Sequence, residues 1–300
     1  MTTDAAALHV VVPVHDRCEL TRRCLLALRR QALPPSTVIV VDDGSTDGTA
    51  AMLRTEFPEV VVLTGGGDLW WTGAINLARA WVLERAADGD AFVTLNNDTE
   101  PRPDWLQTLQ RVAQAHPRTL VGSVAIDQAT GRIEAASVAI DWWTARFSDP
   151  WGGKDAARLR DQAPEALASQ VLSGKGTLVP IRALAALGPY APSLPQYAAD
   201  YEFSLRAARR GWGMLVATGA ELDVAPQTGG LHTDPARDVG WLLRSLWSRR
   251  SANALRYRLR FARLACPAPA RPCFVAFDTG RVVAHSLRSF VRARRAARRP

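Results

Sequence analysis

Short β-branched runs alternate with amphipathic stretches through the first half of the chain, a rhythm that predicts a parallel sheet with crossover helices. LHVVVPV, Leu8 to Val14, is a near-continuous apolar run and predicts a buried strand. From Cys18 to Ala32, Leu20, Cys24, Leu25 and Leu28 fall on one helical face. The same unit recurs as TVIVVDD (Thr37 to Asp43) with a helix from Asp47 to Phe57, and as VVVL (Val60 to Leu63) with Thr72 to Arg85. It recurs again as AFVTL (Ala91 to Leu95) with a helix from Pro103 to Ala115, Pro103 standing in the first turn. After residue 117 strands follow strands, as TLVGSVAI, RIEAASVAI and TLVP, so the second half is expected to be antiparallel or mixed. Trp142 to Gln170 has poor periodicity and several turn formers and is expected to be a long loop covering a pocket. ADYEFSLRAARRGW predicts a helix from Asp200 to Arg210 that stops at Gly211. Arg-studded helices are expected from Asp238 to Leu264 and from about Phe274 to Ala297, with a boundary near residue 236.

Composition places the chain among ordinary globular proteins: 300 residues, 47% hydrophobic, 22% charged, without visible repeats. No stretch approaches the roughly 18 uninterrupted apolar residues of a membrane span. The N-terminus, MTTDAAALHVVV, carries Asp4 where a secretory signal carries basic residues, so a cytoplasmic location is expected. Cys18, Cys24, Cys266 and Cys273 form no CxxC, which argues against zinc or a disulfide framework and for buried, inert thiols. The net charge of +8 is more informative when divided. From Arg244 onward there are 15 arginines and one acid, Asp278, a local balance of +14 that leaves the rest of the chain at −6. Such asymmetry points to an anionic surface, phospholipid or nucleic acid. LRYRLRFARLAC and SLRSFVRARRAARRP interleave Leu, Phe and Val with Arg, as interfacial helices do. Two ordinary helices packed on the body with a solvated basic face fit the same pattern.

Polar clusters stand where ligands of parallel sheets bind, at the carboxyl ends of strands. Asp42 and Asp43, followed by GSTDG, suit hydrogen bonds from a nucleobase or ribose, while Ser45, Thr46 and Asp47 equally suit a helix N-cap. In LNNDTEP, Asp98 beside Asn96 and Asn97 suits a hard divalent cation shared with phosphate oxygens, or a simple Asx turn. Asp200 and Glu202 open a predicted helix two residues apart and therefore point in different directions. Asp200 is a candidate general base, and Glu202 either orients the site or pairs with Arg206, although acids also simply suit a helix N-terminus. The glycine-rich GGGDLWWTG, which includes Gly67 and Asp68, offers backbone amides to a phosphate or nucleoside without matching a dinucleotide or Walker pattern. Trp70 and Trp71 suit stacking on a base or sugar, or core packing. Lys175, in SGKGTL, reads as a phosphate or acceptor contact or as a solvated turn lysine.

Taken in order, PVHDR, VVDDGSTDGT, GDLWWTGAINLA, LNNDTEPRPDWL, SGKGTLVP and ADYEFSLRAARRGW resemble the family 2 glycosyltransferases of GT-A fold, over about Leu8 to His232. The resemblance is closest to the bacterial rhamnosyltransferase-like branch that builds surface polysaccharides. It implies an α/β fold, a Rossmann-like mostly parallel sheet with flanking helices, over residues 1–236, and a C-terminal helical extension over 237–300. It implies an inverting transferase using a nucleotide-diphosphate sugar, dTDP-rhamnose or a UDP-sugar first, with Mn²⁺ or Mg²⁺ and a glycan or lipid-linked acceptor. By the same resemblance Pro13, His15, Asp42 and Asp43 line the nucleoside pocket, and Gly67, Asp68, Asn76 and Asn97 join the nucleotide site. Asp98 matches the last acid of the DxD metal motif, where Asn96 and Asn97 depart from the acidic form. His232, in GGLHTDP, resembles the late histidine that completes the metal site. Asp200 takes the place of the catalytic base, Ala199 replacing the Glu before it, and Glu202, Trp71 and Lys175 are candidate acceptor or orienting residues. The Arg-rich helices suit a peripheral position at the inner face of the cell membrane, and no nucleic acid partner is expected. Two rivals remain. A nucleic-acid-binding protein would use the basic tail but leave the carboxylate clusters without work. A sugar-nucleotide-binding scaffold or nucleotidyltransferase would want a glycine-rich, basic signature after the first strand, where His15-Asp16-Arg17 stands.

Overall fold

The computed structural model describes residues 6–225 and 239–296. Its first half is the predicted alternation: β1 (Leu8–Val14), α1 (Cys18–Arg29), β2 (Thr37–Asp42), α2 (Thr49–Glu56), β3 (Val61–Thr64), α3 (Trp70–Leu83) and β4 (Ala91–Thr94). β1 lies between β2 and β4, parallel to both, and β3 lies parallel outside β2. Val10, Val12 and Val14 pack with Cys24, Leu25 and Leu28 of α1, while Val11 packs with Ile75 and Ala78 of α3. Both faces of β1 are therefore covered, which is why its sequence is a continuous apolar run and does not alternate.

The second half is mixed. It comprises β5 (Thr99–Pro101), α4 (Trp105–Ala115), β6 (Thr119–Asp127), β7 (Ile133–Ala135), β8 (Ala139–Asp141), β9 (Arg146–Ser148), α5 (Ala156–Gln162), β10 (Ala166–Ala168), β11 (Thr177–Pro180), α6 (Ile181–Leu187), α7 (Ala199–Arg209) and β12 (Gly213–Val224). The sheet runs β10-β12-β6-β11-β4-β1-β2-β3, with β5 on β12 and β7 on β6, and β8 and β9 form a separate two-stranded sheet. β11 is antiparallel to both β4 and β6, whereas β12 runs parallel to β6.

Several expectations change. Trp142 to Gln170 is not a structureless loop but holds β9, α5 and β10. The helix α5 is seven residues long, too short to show a period, and is set by Asp155, whose carboxylate accepts from the Ala157 N–H at 2.8 Å. Pro103 lies before α4, because the Trp105 N–H bonds to Arg102 O at 3.0 Å and closes a turn first. The long helix expected from Asp238 to Leu264 is two, α8 (Val239–Trp247) and α9 (Leu255–Ala265), followed by α10 (Arg271–Ala296). Between them Ser251 Oγ donates to Ser245 O at 2.6 Å, a local side-chain bond that competes with helical geometry.

The Arg-rich helices are seated on the body. Phe261 and Phe274 join the cluster that contains Ala199 and Phe203, and Arg209 of α7 donates to the carbonyls of Leu264 and Ala265. The boundary expected near residue 236 lies outside the described residues. The four thiols are unpaired, and burial pushes those of Cys24 and Cys266 up, away from reactive thiolate. Among the described residues no helix is long and apolar enough to cross a membrane.

Candidate functional site

The chain leaves β1 toward β2 on one side and returns as β4 on the other, so their carboxyl ends frame a crevice. Pairing of β4 with β1 stops at Val11 and Thr94. Pro13, which has no N–H to give a ladder, stands beyond that point, half-buried opposite Val41 of β2. The exposed His15 donates from Nδ1 to Asp43 O at 2.6 Å, and the Asp16 N–H donates to Ser45 Oγ at 2.8 Å. Asp16 in turn accepts from the Thr46 N–H at 2.8 Å. These bonds hold Asp16 and Arg17 in the left-handed region, φ 57° and 65°, a conformation costing about 1–2 kcal/mol per residue.

The strand-end acids of β2 are turned inward. Asp42 Oδ1 accepts from the Ser45 N–H at 3.0 Å. Asp43 accepts three backbone N–H bonds, from Gly67 at 2.7 Å on Oδ1 and from Leu69 and Trp70 at 2.8 and 3.0 Å on Oδ2. The amides of Gly67, Leu69 and Trp70, in the glycine-rich stretch expected to meet a phosphate or nucleoside, bond to a carboxylate of the protein itself. Gly44 makes this closure possible: its φ is +70°, and a Cβ there would stand 3.1 Å from Gly67 N. Asp68 remains exposed, 77% by side chain, accepting from Trp70 Nε1 and pairing with Arg249, both at 2.8 Å. The Trp70 bond and the Arg249 charge hold its carboxyl below the usual range.

Two further residues expected at the nucleotide site carry bonds within the fold. The Asn76 amide clamps Tyr190, donating to its carbonyl at 2.9 Å and accepting from its N–H at 2.8 Å, which ties α3 to the chain after α6. Asn97 is buried and donates to Thr21 Oγ1 of α1 at 3.1 Å. Asn96 accepts from Trp71 Nε1 at 3.0 Å. Asp98 differs from both. Its Oδ2 is 3.4 Å from Arg17 Nη1, and its Oδ1 is buried with no partner. An unpaired buried acceptor costs about 1–3 kcal/mol and calls for an explanation. A hard cation taking one or two protein oxygens and filling its other positions with phosphate and water fits this donor. Among the described residues no three His, Cys, Asp or Glu side chains gather into a metal site, and His232 lies outside those residues.

Across the crevice, Asp200 stands at the start of α7. Oδ2 accepts from the Gly174 N–H at 2.8 Å and Oδ1 from the Tyr201 N–H at 2.9 Å. Desolvation nevertheless pushes its carboxyl above the ordinary range, against the pull of those bonds and of Lys175. Trp71 lies between the segments that carry the two acids: its indole donates to Asn96, two residues before Asp98, and its ring lies where a Cβ on Gly174 would come within 2.3 Å. Only glycine at 174 lets the ring and the Asp200 bond coexist. Lys175 is ion-paired with Glu134 at 2.7 Å and largely shielded, so it is no solvated turn lysine. Glu202 is buried and spent on Arg206, at 2.9 Å, and Arg206 also donates to Leu187 O and Pro189 O. Arg17, Gly174, Gln196, which accepts from the Trp71 N–H at 3.2 Å, and Arg249 were not singled out by sequence, since their importance lies in long-range contacts.

The model of the family described as glycosyl transferase family 2 matches residues 9–163, half of the chain. The chain belongs to glycosyl transferase family 2. A curated relative of this family 2 protein, the N-acetylglucosaminyl-diphospho-decaprenol L-rhamnosyltransferase of Mycobacterium tuberculosis, is 26% identical over 290 residues, covering 84% of this chain and 92% of its own. Glycosyltransferase AglE of Haloferax volcanii is 26% identical over 163 residues, 53% of this chain, and the match spans only 45% of that relative's length. Among solved structures, GalNAc-T7 with UDP, GalNAc and Mn²⁺ aligns over 88% of this chain and 52% of its own at TM-score 0.59 and 15% identity. The mannosyltransferase PcManGT of Pyrobaculum calidifontis, in complex with GDP-Man and Mn²⁺, aligns over 98% and 76% at TM-score 0.59 and 18% identity. These likenesses establish the GT-A fold for this family 2 protein.

Proposed function

We propose that this protein is a divalent-metal-dependent, inverting glycosyltransferase that moves a sugar from a nucleotide-diphosphate donor to a hydroxyl of a lipid-linked glycan in bacterial surface polysaccharide synthesis. The observation that carries the reading is the unpartnered buried oxygen of Asp98, on the segment that Trp71 holds through Asn96, together with the desolvated carboxylate of Asp200. The curated relative named for rhamnosyl transfer to a diphospho-decaprenol acceptor makes dTDP-rhamnose the first donor to try and UDP-sugars the next. The nucleotide-sugar and Mn²⁺ complexes of the structural neighbours support a metal-dependent reaction.

In this reading Asp98 would hold the divalent ion, with His232 as the expected second ligand. When bound, such an ion neutralises the charge that develops on the leaving nucleoside diphosphate. Arg17, at the rim of the same carboxylate, adds a second positive charge on that side. Asp200 takes the proton of the attacking acceptor hydroxyl, and the desolvation that raises its affinity for a proton strengthens it as a base. A single displacement with the base opposite the leaving group inverts the anomeric carbon. Trp71, bonded to Asn96 and packed against Gly174, offers its indole to the sugar. On the C-terminal helices, Leu243 and Trp247 of α8 and Phe277, Leu287 and Val291 of α10 are exposed among arginines, as suits a peripheral position on an anionic membrane.

The test is thermal stabilisation of the purified protein against nucleoside diphosphates and sugar nucleotides, with and without Mn²⁺ or Mg²⁺, for wild type and Asp98→Ala. A metal-dependent shift with one nucleotide, weakened in Asp98→Ala, is the expected result. No shift with any nucleotide under either metal removes the reading.

A further inference from the structure

The acid assigned to a divalent ion has a cation of the protein at its side. Arg17 Nη1 stands 3.4 Å from Asp98 Oδ2, while Oδ1 of the same carboxylate is the buried oxygen without a partner. Among the described residues Arg17 pairs with no other carboxylate. The two side chains differ in freedom. Asp98 is 16% exposed and Arg17 40%, so the guanidinium is free to swing toward solvent while the carboxylate stays in place.

Buried bonds bring Arg17 to this position. Its carbonyl accepts from the Thr21 N–H at 3.0 Å and from the Thr21 hydroxyl at 3.1 Å. The same buried hydroxyl accepts from the Asn97 amide at 3.1 Å, and Cys24 Sγ donates to Asn96 O at 3.7 Å. The turn that carries Arg17 and the turn that carries Asp98 are therefore one hydrogen-bonded unit. Local preference opposes an arginine here. The backbone is left-handed, φ 65°, the side chain makes no cap bond to α1, and a cation at a helix N-terminus meets the wrong end of the macrodipole. What arginine supplies at position 17 is charge directed at Asp98.

That charge has opposite consequences for two kinds of incoming ligand. A bare divalent ion on Asp98 is repelled by the guanidinium and must share or displace it. An ion that arrives with a diphosphate brings anionic oxygens, to which a guanidinium makes charge-assisted bonds. We propose that Arg17 is a charge gate on the Asp98 site: it weakens the hold of Asp98 on a bare divalent ion and turns to the phosphates when the ion comes with a diphosphate. The proposal rests on the reading of Asp98 as the ligand of that ion. Because coupling between two ligands is reciprocal, removing Arg17 is expected to strengthen the bare ion and weaken the nucleotide.

Mn²⁺ binding to the full chain without nucleotide is read from the free-ion signal in electron paramagnetic resonance, and binding of dTDP and UDP at saturating Mn²⁺ by calorimetry. Arg17→Ala is expected to bind bare Mn²⁺ about tenfold more tightly than wild type, and the better of the two nucleotides about tenfold more weakly. Arg17→Lys, which keeps the charge but loses the planar fork, is expected to match wild type for bare Mn²⁺ and to recover part of the nucleotide affinity. Arg17→Gln stands in should the alanine variant not fold. Bare Mn²⁺ affinity unchanged or lowered in Arg17→Ala, the result of an ion pair that only holds the turn together, overturns the gate. Nucleotide affinity unchanged in the same variant overturns it as well. Asp98→Asn separates the two readings. Mn²⁺ bound alike by wild type and Asp98→Asn removes Asp98 as the ligand and the gate with it, whereas Mn²⁺ lost in Asp98→Asn but bound equally by wild type and Arg17→Ala removes the gate alone.

Discussion

Asp43 and Asp98 follow the two strands that flank β1, and both sit in polar clusters after buried apolar runs, yet the fold treats them in opposite ways. Asp43 accepts three backbone N–H bonds from the loop that follows β3 and the first turn of α3. Asp98 keeps one oxygen buried and unpartnered. The difference teaches that an acid at a strand end declares a role only through its donors: the first holds a loop shut, and the second is left in need of a ligand. Asp200 stands between them, with one N–H on each oxygen and a carboxyl that desolvation still pushes up.

The largest effect is expected from Asp200→Asn, a loss of about 10²–10⁴ in kcat, the contribution of a general base. In the wild type the proton must leave Asp200 before it can accept another, so the acid limb of kcat/KM is expected above the ordinary carboxylate range of about 4. The sign for stability runs the other way. A carboxyl raised in the folded state favours folding below its unfolded pKa and loses that contribution as pH rises through the folded value. Wild-type transfer that stays flat down to pH 4 would remove Asp200 from the proton path.

Next comes Asp98→Asn, expected to cost about 10²–10³ in rate and to abolish metal-dependent stabilisation while leaving the melting temperature of the metal-free chain unchanged or higher. A large fall in that melting temperature would make Asp98 a structural acid like Asp43 and collapse the contrast. Asp43→Ala is the reciprocal test, with the smallest effect of the three. Three N–H groups lose a charged acceptor, so about 2–4 kcal/mol of stability is expected to go, read by denaturant unfolding. An unchanged midpoint with a weakened nucleotide shift would return Asp43 to the nucleotide site.

Much of the fold was legible in the sequence. The first four strands and their helices stand within a few residues of expectation because two-faced burial and amphipathic periods are local properties of LHVVVPV, TVIVVDD and their neighbours. β12 was not delimited in advance, since its pairing with β6 shifts register between Val216 and Glu221, and Glu221 is buried against Arg102 and Arg160. A buried charge reads as a surface residue until its partners are known. The same holds for the basic tail, whose arginines signalled a surface while Phe261 and Phe274 were being buried against α7.

What the sequence determined alone was the strand-helix alternation, the strand ends where ligands bind, and the set of acids standing there, because each depends on residues close together in the chain. Tertiary structure decided which acids still have something to offer. The donors that quench Asp43 lie 24 to 27 residues away, the indole that bridges toward Asp98 acts over 25, and the amide that holds Asp200 lies 26 away. No local pattern encodes such distances; only the closed loops reveal which oxygen remains unpaired.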